Sequence, residues 1–163
     1  LEDRLEGLKL IISPWKRPSG ESVPFEAKAS GPYFMCTMSK EFAEKKGYHD
    51  ALMLDYRNYI AEGTGANIFF IKGNKIDTPI ADCFLNGITR QAVIKLVEDK
   101  GFELVEKHIL PNEIKDYEEA FLTGTAAEIT PIKSINEDIF NTGENTITYD
   151  LMKDFTKLVN SSD

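Results

Sequence analysis

Residues 67–78 read Asn-Ile-Phe-Phe-Ile-Lys-Gly-Asn-Lys-Ile-Asp-Thr. An apolar run, Ile68 to Ile71, stands before Gly73-Asn74, and a second run containing Ile76 follows it. A two-residue Gly-Asn link between such runs is typical of a tight β-hairpin. We therefore predict antiparallel strands at 67–72 and 75–78.

Strand and helix patterns alternate on both sides of this hairpin. The helical spacing of Ile88, Ala92 and Leu96, closed by Gly101, predicts a helix at 88–100. Such alternation, combined with hairpins, predicts an α/β (α+β) domain with a mixed sheet. The other predicted helices are 31–46, 111–115 and 149–159, and the other predicted strands are 7–13, 50–54, 59–61, 102–108, 120–123 and 129–135.

A long loop is predicted at residues 14–26, which contain Pro14, Pro18, Gly20 and Pro24. A loop of this length in a compact domain is often functional.

Composition limits the classes of partner. The chain has 163 residues, 42% of them apolar, and 27 acidic against 19 basic side chains give a net charge of -8. An acidic surface argues against nucleic acid and against an anionic membrane. No apolar run approaches the roughly 20 residues of a membrane span. An anionic cofactor is still compatible, because a few residues can oppose the bulk charge locally.

The two cysteines, Cys36 and Cys83, and the two histidines, His49 and His108, are far apart in sequence. We therefore expect neither a disulfide framework nor a metal site. The charged start, LEDRLEGLKL, does not resemble a signal peptide, so a reducing cytoplasmic setting is expected. The absence of an initial Met is consistent with a fragment.

Two stretches could hold an anion. Residues 85–90, Leu-Asn-Gly-Ile-Thr-Arg, stand where the helix from Ile88 begins. The unpaired N–H groups there and the hydroxyl of Thr89 suit a phosphate, although an ordinary helix cap uses the same residue types. Residues 123–128 contain only small residues before Glu128, which permits either an anion-binding nest or a tight turn.

A carboxylate and an amine are further candidates. Glu62 stands at a strand end before Gly63 and Gly65, where its carboxylate could enter a cleft or simply be solvated. No helix follows Asn67, so a dinucleotide-binding loop is rejected. Lys28 lies among small neighbours, and a lysine shielded from water is an amine nucleophile. It is one of 15 lysines, however, so alone it carries little weight.

Taken together, these stretches resemble the branched-chain amino-acid aminotransferases, which are fold-type IV pyridoxal-phosphate enzymes. The resemblance implies that residues 1–163 are the large C-terminal lobe, with a mixed sheet partly closed into a pseudo-barrel and flanked by helices. It also implies a smaller N-terminal lobe, absent from this chain, that supplies an arginine to the phosphate. The matching pieces, in family order, are 27–29, Tyr33, 61–69, 86–90 and 124–131.

The resemblance assigns the cofactor contacts. Lys28 would form the Schiff base with pyridoxal 5′-phosphate and then shuttle the proton at the substrate α-carbon. Glu62 would pair with the pyridine nitrogen, which makes the ring an electron sink. Tyr33 would hydrogen-bond the phenolic oxygen, and Leu85 would pack on the ring face.

The resemblance also assigns the anion contacts. The main chain of Ile88 and the side chain of Thr89 would bind the phosphate, with help from Thr125. Main-chain N–H groups of Thr125 and Ala126 would meet the substrate carboxylate.

The function implied is transamination of leucine, isoleucine and valine with 2-oxoglutarate by an enzyme that is at least a homodimer. With one lobe missing, we expect the isolated chain to be inactive or nearly so. The alternatives are a D-amino-acid aminotransferase, an aminodeoxychorismate lyase, and a non-catalytic α/β domain. Ser30-Gly31-Pro32, Ala66 and Asn86 depart from the pattern of many relatives and make the substrate preference less certain.

Overall fold

The computed structural model of the protein describes residues 2–22 and 30–162. These described residues form four α-helices and one 3-10 helix, Pro111–Asp116, beside the sheet. The helices are α1 (Glu2–Leu5), α2 (Ser30–Lys45), α3 (Ile88–Asp99) and α4 (Ile147–Asn160). The strands are β1 (Leu8–Arg17), β2 (Asp50–Asp55), β3 (Ile60–Gly63), β4 (Asn67–Lys72), β5 (Lys75–Pro79), β6 (Glu103–Lys107), β7 (Glu119–Gly124), β8 (Glu128–Ile135) and β9 (Asp138–Ile139).

The sheet is mixed, as predicted. Its strand order is β3-β2-β1-β8-β7-β4-β5-β6, with β9 paired to β8. The pairs β1–β2, β1–β8 and β5–β6 are parallel, and the other pairs are antiparallel. The Ile60 N–H donates to the Ile109 carbonyl at 2.8 Å, which joins β3 to the segment after β6. The two ends of the strand order therefore approach each other, and the curled half-barrel expected from the resemblance is confirmed.

The hairpin strand β4 is buried on both faces. Ile68 and Phe70 enter one apolar cluster, together with Leu52 on β2. Phe69 and Ile71 enter a second cluster, which contains side chains of α3 and α4 such as Val93, Val97, Leu151 and Phe155. Because successive side chains of a strand point to opposite faces, a continuous apolar run fits a strand covered on both sides.

The first strand is longer than predicted. β1 continues through Pro14 to Arg17, so the predicted loop at 14–26 begins too early. The pairing with β2 shifts register between Ile12 and Lys16. A proline is tolerated at such an irregularity, because the backbone hydrogen bonds between the strands are interrupted there and do not need the N–H that proline lacks. This extension places Arg17 in the sheet.

The remaining differences are small. Helix α1 and strand β9 have four and two residues, too few for a periodic pattern to reveal. Helix α4 begins at Ile147 rather than Tyr149, because Thr146 caps it by accepting a hydrogen bond from the Tyr149 N–H. Among the described residues, no helix is long and apolar enough to span a membrane.

Candidate cofactor site

One cavity of about 270 Å³ brings together stretches that are distant in sequence. It lies between α2, the ends of β3 and β7, and the start of α3. Ala126 is exposed in the turn after β7 and is not among the lining residues, and Lys28 lies outside the described residues. Six residues predicted from the sequence line the cavity: Tyr33, Glu62, Leu85, Ile88, Thr89 and Thr125.

The N-terminus of α3 opens onto this cavity. Gly87 precedes the helix in an extended conformation, and no side chain caps it. A Cβ at Gly87 would lie 3.0 Å from Asn67 Oδ1, so a larger residue at position 87 would crowd the Asn67 side chain. Asn67 Nδ2 donates to the Leu85 carbonyl at 3.0 Å. The uncapped helix start can therefore receive an anion.

The turn after β7 faces the stretch after β3 at close range. A Cβ at Gly124 would lie 3.1 Å from the Gly65 carbonyl oxygen, so a glycine is needed for this approach. Thr123, the residue before it, lines the cavity and is fully buried. Its Oγ1 has no hydrogen-bond partner in the described part of the chain. A buried hydroxyl without a partner is costly, so this position suits a ligand atom or a bound water.

Glu62 supplies a buried carboxyl group at the end of β3. Its side chain is 12% exposed, and its Oε1 lies 3.4 Å from Arg17 Nε. Burial raises the pKa of Glu62 to about 7, the positive charge of Arg17 opposes this rise, and the nearby Asp50 adds to it. A carboxyl with this pKa can hold or release a proton near neutrality.

Arg17 also lines the cavity and was not predicted as a site residue. It is buried at the end of β1, and its Nε donates to the Cys83 carbonyl at 3.3 Å. Arg17 therefore connects Glu62 to the loop that leads into α3. It was missed because Pro14 and Pro18 placed it in a predicted loop, where a lone arginine gives no pattern.

Cys36 on α2 also lines the cavity and was not predicted as a site residue. Its Sγ lies 3.9 Å from a terminal nitrogen of Arg17 and 3.7 Å from Met53 Sδ. Burial and the nearby Glu62 raise the pKa of the Cys36 thiol, so it is a poor nucleophile. The other lining residues are Thr64, Gly65, Ala66, Asn67, Gly87, Thr123 and Gly124.

The sequence model of the family described as amino-transferase class IV matches residues 1–135. The chain belongs to the class IV aminotransferases. The resemblance stated from the sequence is thereby confirmed.

Named relatives of this class IV aminotransferase chain are branched-chain enzymes. The probable branched-chain-amino-acid aminotransferase of Rickettsia conorii is 45% identical over 131 residues, which are 80% of this chain and 45% of the relative. The crystal structure of the branched-chain aminotransferase of Thermoproteus uzoniensis with norvaline is similar, with a TM-score of 0.91 and 36% identity, over 98% of this chain and 53% of that one.

A second similar structure is the branched-chain amino acid aminotransferase of Thermobaculum terrenum in its PLP form, with a TM-score of 0.90 and 36% identity, over 98% of this chain and 54% of that one. This class IV aminotransferase chain thus spans about half the length of the relatives it matches.

Class IV aminotransferases use pyridoxal phosphate, and the cavity of this chain fits that group. The uncapped helix start and the hydroxyls of Thr89 and Thr125 line the cavity, and they are hydrogen-bond donors of the kind from which a phosphate accepts. The buried carboxyl of Glu62 suits a protonated ring nitrogen. The Thr123 Oγ1, which has no partner among the described residues, offers one further hydrogen-bonding group to the bound cofactor.

Proposed function

We propose that this protein is a pyridoxal-phosphate-dependent aminotransferase that acts on leucine, isoleucine and valine with 2-oxoglutarate. The observation that carries the proposal is the meeting of Glu62, the α3 entrance and Thr125 at one cavity in a class IV chain. The names of the relatives support the branched-chain substrates. We further propose a cytoplasmic homodimer.

Each end of the cavity has a separate task in this proposal. The N–H of Ile88 and the hydroxyls of Thr89 and Thr125 bind the phosphate group, since they are hydrogen-bond donors at or near a helix N-terminus. Glu62 holds a proton at the ring nitrogen of the cofactor. Tyr33, which is exposed on α2 and lines the cavity, donates to the phenolic oxygen.

Lys28 carries the covalent and proton-transfer chemistry in the proposal. Its amine would hold pyridoxal phosphate covalently through the aldehyde carbon, and binding of the amino-acid substrate would free that amine to act as a base. The freed amine removes the proton from the substrate α-carbon. Bound pyridoxal phosphate supplies an electron-withdrawing ring that stabilises the negative charge left on that carbon. Main-chain N–H groups of Thr125 and Ala126 orient the substrate carboxylate.

A titration with pyridoxal phosphate tests this assignment. The wild-type protein should develop the absorption band of a lysine–pyridoxal-phosphate bond, and Lys28→Ala should abolish it. Lys115→Ala is the matched control, because Lys115 lies on the exposed side of the 3-10 helix. An undiminished band in Lys28→Ala would remove Lys28 from the proposal.

A substrate screen on the full-length protein tests the reaction. Leucine, isoleucine and valine should each yield a 2-oxo acid in the presence of 2-oxoglutarate. Turnover of D-alanine alone, or release of pyruvate from aminodeoxychorismate, would place the protein with a different class IV activity.

A further inference from the structure

The loop between β5 and α3, residues 80–87, leads directly to the proposed phosphate site, and we call it the phosphate loop. It forms no strand, and side chains from other elements hold it, among them Gln91, whose Nε2 donates to the Asn86 carbonyl at 3.1 Å. Arg17 binds the Cys83 carbonyl, and Asn67 binds the Leu85 carbonyl. At its C-terminal end, Arg90 donates to Asn86 Oδ1 at 2.9 Å. Arg57 also holds the loop, through a contact with Asp82 near its start.

Arg57 bridges two carboxylates. Its Nη2 donates to Asp82 Oδ1 at 2.8 Å and to Asp55 Oδ2 at 2.7 Å. Its Nε also donates to Asp55 Oδ2, at 3.1 Å. The rings of Tyr56 and Tyr59 lie 5.1 and 5.3 Å from the guanidinium carbon. Charge-assisted bonds to two acceptors, with aromatic rings beside them, fix the guanidinium in place.

The Asp55 end of the bridge is rigid. Asp55 is the last residue of β2 and pairs with Arg17 on β1. Its Oδ1 accepts the N–H groups of Arg57 at 2.8 Å and of Tyr59 at 3.1 Å, which closes the β2–β3 turn. With the two side-chain bonds from Arg57, four N–H donors hold this carboxylate at the end of a sheet strand, which makes it a fixed point. The other partner of the bridge, Asp82, lies on the phosphate loop, outside the sheet.

The same cluster could be taken for a metal site. One ligand atom each of Asp55, Asp82 and Cys83 lie within 4.8 Å of one another. Arg57 Nη2 occupies this cluster, at 3.5 Å from Cys83 Sγ. The cation that these two carboxylates share is therefore a guanidinium. Without it, the two negative charges would repel each other and push Asp82, and the loop with it, away from β2.

We propose that Arg57 is a positioning residue for the cofactor phosphate: by bridging Asp55 to Asp82 it holds the phosphate loop where Gly87, Ile88 and Thr89 meet the ligand. The identity of the ligand rests on the proposed function. The bridge itself does not, because it is made entirely within the chain. Among the described residues, Arg57 donates hydrogen bonds to Asp55, Asp82 and Cys83, none of which lines the cavity, so it would act through the loop.

Comparing the binding of two ligands distinguishes a displaced phosphate site from general damage to the cavity. Pyridoxal phosphate and pyridoxal differ only in the phosphate group. Arg57→Gln should weaken binding of pyridoxal phosphate by about tenfold, since a displaced loop loses charge-assisted bonds to the phosphate. Pyridoxal binding should change less than twofold. Arg57→Lys should give an intermediate loss, because an ammonium group keeps the charge without the two-sided geometry.

Lys100→Gln is the matched control. Lys100 pairs with Asp154 between α3 and α4, and its exposure, 32%, is close to the 27% of Arg57. This control should leave both ligands unaffected. Equal weakening of both ligands by Arg57→Gln, or weakening of neither, would overturn the proposal.

A second measurement needs no cofactor. Amide hydrogen exchange in residues 83–89 should be about tenfold faster in Arg57→Gln than in the wild type, and unchanged in Lys100→Gln. If the wild type binds no pyridoxal phosphate, the proposed function fails, while this exchange measurement still decides whether the bridge holds the loop. Unchanged exchange in Arg57→Gln would refute the bridge.

Discussion

At the scale of single residues, the ionisation of Glu62 sets the electrostatics of the cavity. The pKa of Glu62 rises from its ordinary value of 4.5 to about 7 because the side chain is buried. The folded protein therefore keeps this proton between pH 4.5 and about 7, while the unfolded chain loses it. The free energy of unfolding must consequently fall as the pH rises through this window, and no further loss from Glu62 follows above about pH 7.

Glu62→Gln removes this titration, so its stability advantage over the wild type should grow between about pH 4.5 and pH 7. A rise of 2.5 units, from 4.5 to about 7, at 1.36 kcal/mol per unit gives an upper limit of about 3 kcal/mol. Urea unfolding of both proteins without cofactor, across this pH range, measures the difference. An advantage that is constant with pH would show that the buried carboxyl does not titrate in this window.

The positive charge of Arg17 offsets the cost of burying the Glu62 carboxylate. Removing Arg17 should therefore destabilise the fold. Arg17→Met leaves the Glu62 carboxyl without its cation and the Cys83 carbonyl without its donor. We expect a loss of about 3 kcal/mol at pH 8, the usual scale for breaking a buried pair. In a Glu62→Gln background the same substitution should cost clearly less. A double-mutant cycle in urea checks this, and equal costs in both backgrounds would mean that Arg17 does not serve Glu62.

At the scale of elements, a buried carboxylate organises the start of α4. Glu119 on β7 accepts the N–H groups of Ile147 at 3.2 Å and Thr148 at 2.9 Å, and also the Thr148 hydroxyl at 2.8 Å. Negative charge at a helix N-terminus is stabilising, and these donors would otherwise lack a partner.

Glu119→Ala should therefore destabilise the fold by about 2 kcal/mol, the upper end of the range for a lost helix cap. The exposed Glu137 in the β8–β9 turn provides the control, and Glu137→Ala should change stability by less than about 0.5 kcal/mol. Chemical denaturation measures both effects. A cost at Glu119 no larger than that at Glu137 would mean that α4 does not depend on this contact.

The elements that the sequence predicts best are those with a strong local signal. The strands of the hairpin around Gly73-Asn74 agree with the structure almost to the residue, because turn type and apolar runs point the same way. The extension of β1 to Arg17 could not be predicted, because Pro14 locally indicates a loop. The strand accommodates this proline through a register shift in its pairing with β2, which the sequence does not reveal. Helix α1 and strand β9 are too short for any period to emerge.

At the scale of the whole molecule, the sequence predicts the parts of the site but not their convergence. From the sequence alone, Glu62 could be a solvated carboxylate, Thr89 part of an ordinary helix cap and Thr125 part of a tight turn. Only the curl of the sheet places the three around one cavity. The resemblance to a family supplied the missing geometric information. The bridge from Arg57 to Asp82 could not be inferred at all, since 25 residues separate them and neither belongs to a motif.

The span of the chain, about half that of its relatives, leads to a prediction about turnover. The 163-residue chain should bind pyridoxal phosphate but transaminate leucine at least about a hundredfold more slowly than the full-length protein, because misplaced or missing contacts in a site reduce rates on this scale. Steady-state assays of both proteins make the comparison. Equal rates would locate the complete active site within these residues.

The central claim is that the cavity beside Glu62 holds pyridoxal phosphate through Lys28. Borohydride reduction of the cofactor-bound protein, followed by proteolysis and mass spectrometry, tests it most directly, because reduction makes the lysine bond permanent. The account predicts a single phosphopyridoxyl label on the peptide that contains Lys28, lost in competition with excess inorganic phosphate. A label spread over many of the lysines, or concentrated on a lysine remote from the cavity, would contradict it.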